Sequence, residues 1–111
     1  MIRVLMSSAA AALLRAIVAR SGVTRDRILL TEVRSVDWQS LTFDGERHEI
    51  AMRFTGPGAA REAERMLEGI EDHEFALSGA IVADINLVGR CVGLDGGSVS
   101  VAIEALTISS D

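Results

Sequence analysis

The sequence predicts an α+β domain, a two-layer sandwich with two helices on one face of an antiparallel sheet of four to five strands. Three observations carry this. Segments 9–20 and 59–70 place apolar residues at helical spacing. The stretches between and after them alternate with period two, as half-buried strands do. The strands are joined by short glycine-bearing turns, which antiparallel pairing permits and parallel crossovers do not. With 111 residues, 49% of them hydrophobic and 24% charged, the chain reads as one domain over residues 1–111.

The elements follow in order. Ser7 or Ser8 caps a helix whose stripe is Leu13, Leu14, Ile17 and Val18, and Gly22 stands where a left-handed terminator belongs. Residues 1–6 read equally as the first turn of that helix or as a short strand. In the latter case the fold becomes a ferredoxin-like variant with an added strand. The first 25 residues carry four arginines and no acid, which is transit-peptide composition, but an ordered helix of the domain is the better reading. Residues 28–36 form a strand, with a bend or bulge at Ser35-Val36-Asp37. Asp44-Gly45 reads as the tight turn of a hairpin, since that pair tolerates positive φ. His48, Ile50, Met52 and Phe54 share one face of the return strand. Thr55-Gly56-Pro57-Gly58 breaks it and launches the second helix. A long strand over 75–92, with Phe75, Leu77, Ile81, Ile85 and Leu87 facing the core, turns at Asp95-Gly96-Gly97-Ser98 into the last strand. The expected order is α-β-β-β-α-β-β.

The last strand changes its apolar side. Val99, Val101 and Ile103 are at odd positions, Leu106 and Ile108 at even ones. Side chains alternate faces, so both faces receive apolar groups. With Gly96-Gly97 as the turn, Leu106 and Ile108 face the core, and Val99, Val101 and Ile103 join Val88, Val92 and Leu94 outside. A one-residue slip reverses the assignment of that strand, and a bulge near Glu104-Ala105 would remove the conflict. The first register places an interface at Val88, Val92, Leu94, Val101 and Ile103, through which the chain homodimerises. In that register Val101→Glu gives a folded monomer.

Composition excludes several functions. The net charge of -5 opposes nucleic-acid binding. All eleven basic residues are arginine and there is no tyrosine, which removes Schiff-base, P-loop-lysine and tyrosine acid–base chemistry. The single cysteine, Cys91, forms no intrachain disulfide and suits a reducing, cytoplasmic setting. No run is long enough to span a bilayer, so no membrane partner is expected. No metal-ligand spacing and no cofactor motif is present, and none of either is expected.

Candidate chemistry is sparse. His48 should point inward from its strand, and His73 lies in the acidic loop Glu71-Asp72-His73-Glu74. With nearby carboxylates, either would serve a small enzyme as a general base. Cys91 stands between Arg90 and Val92, where the cation would favour a thiolate. Gly56, Gly58 and Arg61 at the start of the second helix form a weak anion site. For each, the plainer role is structural: a half-buried histidine bonded to backbone, a solvated turn, a packed thiol, helix punctuation.

Segments Trp38–His48 and Gly79–Asp84 resemble those of a group of small uncharacterised bacterial proteins of about this length, a resemblance that brings no activity with it. The element order is also similar to that of type III secretion chaperones. That likeness implies a small acidic dimer holding an apolar peptide. The functional expectation is therefore a non-enzymatic binding or assembly module that homodimerises, with a small enzyme and a peptide-binding chaperone as the alternatives.

Overall fold

The computed structural model describes residues 6–93 and 97–110. It shows the expected two-layer α+β sandwich with a four-stranded antiparallel sheet. In chain order the elements are α1 (Ser8–Ser21), β1 (Ile28–Gln39), β2 (Asp44–Phe54), α2 (Ala59–Leu67), β3 (Ala80–Val92) and β4 (Val99–Ser109). The spatial order of strands is β1-β2-β4-β3, so β2 and β4 are central and β1 and β3 are edges. Residues 1–5, on which the ferredoxin-like variant depends, lie outside the described residues, as does Leu94. No helix among the described residues is long and apolar enough to cross a membrane.

Capping follows the local chemistry. Ser7 Oγ accepts from Ala10 N at 3.1 Å, and Gly22 closes α1 at φ 74 with its N–H on Ala19 O. The two helices also terminate on each other. Arg20 of α1 donates to the carbonyls of Met66 and Glu68 at the end of α2, and Arg65 of α2 donates to Ser21 O at the end of α1. Each guanidinium thus supplies donors to carbonyls that a helix end leaves orphaned, with charge of the sign the C-terminus favours.

The core lies between the helix pair and the central strands. His48, Ile50, Met52 and Phe54 of β2 face it, beside Val99, Val101, Ile103, Ala105 and Thr107 of β4. Leu13, Leu14 and Ile17 of α1 and Ala59, Ala63 and Met66 of α2 close it from above. Each large aliphatic group removed from water here contributes about 1.5–3 kcal/mol.

This corrects the expected register of the last hairpin. Val92 pairs with Val99, Arg90 with Val101 and Leu87 with Ile103, so Val101 and Ile103 are core residues, each 2% exposed. Leu106 and Ile108 take the outer face. The odd side of β4 continues into the core as Ala105 and Thr107, whose small or polar side chains gave no apolar signal. β4 carries no bulge. The shifts fall instead on the edges, at Ala83 and Val88 in β3 and at Thr31 in β1. Edge strands accommodate an extra residue because only one ladder is disturbed. β3 changes parity once at each of its two bulges. Val82, then Ile85 and Leu87, then Arg90 and Val92 share the helix side, and Ile81 turns outward, 57% exposed.

Three further expectations change. β1 runs unbroken through Ser35-Val36-Asp37, so among the described residues two strands rather than three precede α2. β3 begins only at Ala80, leaving Phe75 and Leu77 as half-buried coil packed on the core. Asp44-Gly45 is not the turn. Both residues belong to β2, and Gly45 lacks positive φ. Its missing side chain admits β4 instead, since a Cβ there would meet Thr107 O at 2.1 Å.

Candidate functional site

The β1–β2 hairpin builds the most distinctive surface. Four residues, 40–43, join its strands. Ser40 N donates to Phe43 O at 2.8 Å, and Ser40 Oγ accepts from the amides of Thr42 and Phe43. The serine closes the loop on itself, as its side chain favours in turns. Nothing is left to bury the apolar residues of the tip, so Leu41 is fully exposed and Phe43 half exposed. Behind the tip, Trp38, Gly45, Ile108 and Ile81 form one row across the outer face of the sheet. Val36, Arg47, Leu106 and Asp84 form the next row. Further along, the outer face turns polar, with ion pairs Arg47–Glu104 at 3.1 Å and Arg34–Glu49 at 3.8 Å. Exposed pairs of this kind hold little energy.

At the other end of the same hairpin lies a groove of about 480 Å³. Among the described residues α2 packs on β2 and β4, and α1 packs on α2. The helix-facing residues Ile28 and Leu30 of β1 are left half-buried. They line the groove with Leu14, Val18, Val23 and Met52, and Arg15 stands at its margin. Arg15 is exposed, and α1 carries no acidic residue.

The histidines are dispersed. His48 is fully buried, with Nδ1 2.7 Å from Ser35 Oγ and Nε2 2.8 Å from Thr107 Oγ1. Its partners are hydroxyls on the two neighbouring strands, where the sequence suggested a backbone contact or a carboxylate. Burial lowers its pKa from the usual 6.5, and the Glu46 charge offsets this in part. The neutral ring satisfies both hydroxyls, one nitrogen donating and the other accepting, and so stitches β1, β2 and β4 together. His73 is exposed and meets Phe75 edge-on at 4.6 Å. Cys91 is exposed on β3, its Sγ 3.6 Å from Val92 O. It shares a row with Ser100 and Arg53, five residues along β2 from His48 or about 17 Å. The structure brings none of the three together. Among the described residues no three of His, Cys, Asp and Glu gather as a metal site.

The Gly56–Gly58 loop carries its own anion. Arg27 donates to Thr55 O and Pro57 O and pairs with Glu62 at 2.6 Å. The Glu62 carboxylate in the first turn of α2 supplies the negative charge that the helix start attracts. Arg61 is exposed beside that loop. Of the expected interface, Val88 and Val92 are exposed at 63% and 62%, and Val101 and Ile103 are withdrawn into the core. Sequence reasoning missed Leu41 and Phe43. Their signal was present in two large apolar residues inside a segment flanked by Ser40 and Asp44-Gly45.

Comparison with family models, with curated proteins and with solved structures finds no match.

Acid should weaken the fold through His48. As pH falls through 6.5, the unfolded chain takes up a proton that the buried ring refuses. Stability is therefore full above that value and lost from there down to the lowered folded pKa, by about 1.4 kcal/mol per unit of depression. Urea midpoints at pH 7.5 and 5.5 should separate more for the native chain than for His48→Gln, in which that titration is absent. Equal separations would remove His48 from the account.

Proposed function

We propose that this chain is a non-catalytic assembly module that binds a second copy of itself through the apolar β1–β2 hairpin end. The observation that carries the proposal is the exposure of Leu41, Phe43 and Val36 near half-buried Trp38, Leu106 and Ile108 at one end of the sheet, with Arg47 standing between Val36 and Leu106. Soluble monomers rarely leave such a patch to water, and aromatic and aliphatic anchors of this kind dominate interface energetics. Symmetric dimers are its commonest partner arrangement. The expected C-terminal hairpin contributes Val88 and Val92, but polar Arg90 and Cys91 break their continuity.

The long edges of the sheet are poor alternatives. β1 and β3 carry the bulges, which twist a strand away from flat edge-to-edge pairing. A catalytic reading draws on His48, whose sealed ring touches two hydroxyls and no carboxylate.

Light scattering after size exclusion should return close to twice the 11.8 kDa chain mass at a concentration on the order of tens of micromolar. A monomer that takes up no hydrophobic dye under those conditions would end this reading.

A further inference from the structure

Two features of the chain are complementary and lie where they cannot meet within one molecule. The tip projects Leu41 and Phe43 from one end of β1, and the groove opens at Ile28 and Leu30 at the other. Twelve extended residues separate them, about 40 Å. Resting on the self-association just proposed, we infer that the tip of each copy inserts into the groove of the other.

Chemistry supports this pairing. The groove has the size of a small-molecule site, and most of its lining is apolar, with Arg15 and Thr24 the polar side chains among the described residues. Met52 gives it an adaptable wall that can close around a leucine and a phenylalanine. Charge agrees as well. The tip is flanked by exposed Asp37 and Asp44, and the groove margin presents Arg15 on a helix without acids. Opposite charges at the rim fix orientation around a dry centre.

Symmetry then does the rest. A two-fold axis that places one tip in one groove must place the second tip in the second groove. The contact is made twice and the assembly closes at two copies, with no open filament. The self-held loop favours the arrangement, because a tip already ordered by Ser40 loses little freedom on insertion.

The test uses two variants and their mixture. Leu41→Asp ruins the tip and leaves the groove intact. Ala19→Trp fills the groove from an exposed position on its wall and leaves the tip intact. Each alone should weaken dimerisation by about tenfold or more, with circular dichroism and melting temperature unchanged. Mixed in equal amounts they retain one good tip and one good groove, so a heterodimer should appear where neither variant dimerises by itself. If both variants keep the native dimer mass, insertion is overturned and self-association stands. If each is monomeric and the mixture stays monomeric, the tip packs elsewhere and insertion is likewise overturned. A monomeric native chain overturns both readings.

Discussion

Ile103→Glu should prevent folding. Ile103 is 2% exposed, faces Ile50 on one neighbour and Leu87 on the other, and lies under the helix pair. A carboxylate there loses its hydration with no cation opposite it, and the isoleucine packing is lost as well. Together these exceed about 4–5 kcal/mol, against a total stability on the order of 5–15 kcal/mol for a domain of this kind. Far-UV circular dichroism at neutral pH should show loss of the native spectrum. A folded, monomeric Ile103→Glu would restore the outward orientation that the strand pattern allowed and overturn the register described here. Val101→Glu should move the same way by less, because Arg90 sits across the ladder from it.

Gly45→Ala should be the most damaging of the small substitutions. The added Cβ would stand 2.1 Å from Thr107 O and 3.3 Å from Ile108 Cα, and both neighbours are backbone of a central strand. No rotamer change relieves a backbone clash. β2 and β4 must separate at the hairpin end, at a cost of about 3 kcal/mol. Gly89→Ala is the matched control. Nothing lies within 4 Å of its Cβ position and its φ is not positive, so it should be neutral or stabilise by up to about 1 kcal/mol. Urea denaturation of the two alanine variants measures the contrast. A Gly45→Ala midpoint equal to that of Gly89→Ala would rule out close strand approach as the reason for the glycine.

Those two residues also show what was legible in the sequence. Ser7 and Gly22 bound α1 because capping is a local event, written in a few adjacent residues. The alternation of His48, Ile50, Met52 and Phe54 fixed the face of β2 because all four point the same way without a shift. β4 was harder. Its core side runs from Val99 to Thr107, but a small residue at 105 and a hydroxyl at 107 hide the second half, and Leu106 and Ile108 outshine them from the other face. The parity of β3 was unreadable for another reason: a bulge adds one residue without any marker of composition, and β3 has two. Gly45 misled because positive φ and close backbone approach select the same residue type. The hydroxyl partners of His48 come from positions 13 and 59 residues away in sequence, and no local pattern announces them. The groove depends on which strand the helices fail to cover. That is a property of the packed layers, and it has no counterpart along the chain.

The crossed arginines give the helix layer a collective character. Unwinding the last turn of α1 strands Arg65, and unwinding the last turn of α2 strands Arg20, so neither end frays without loosening the other. The two helices should open and close as a single cooperative unit.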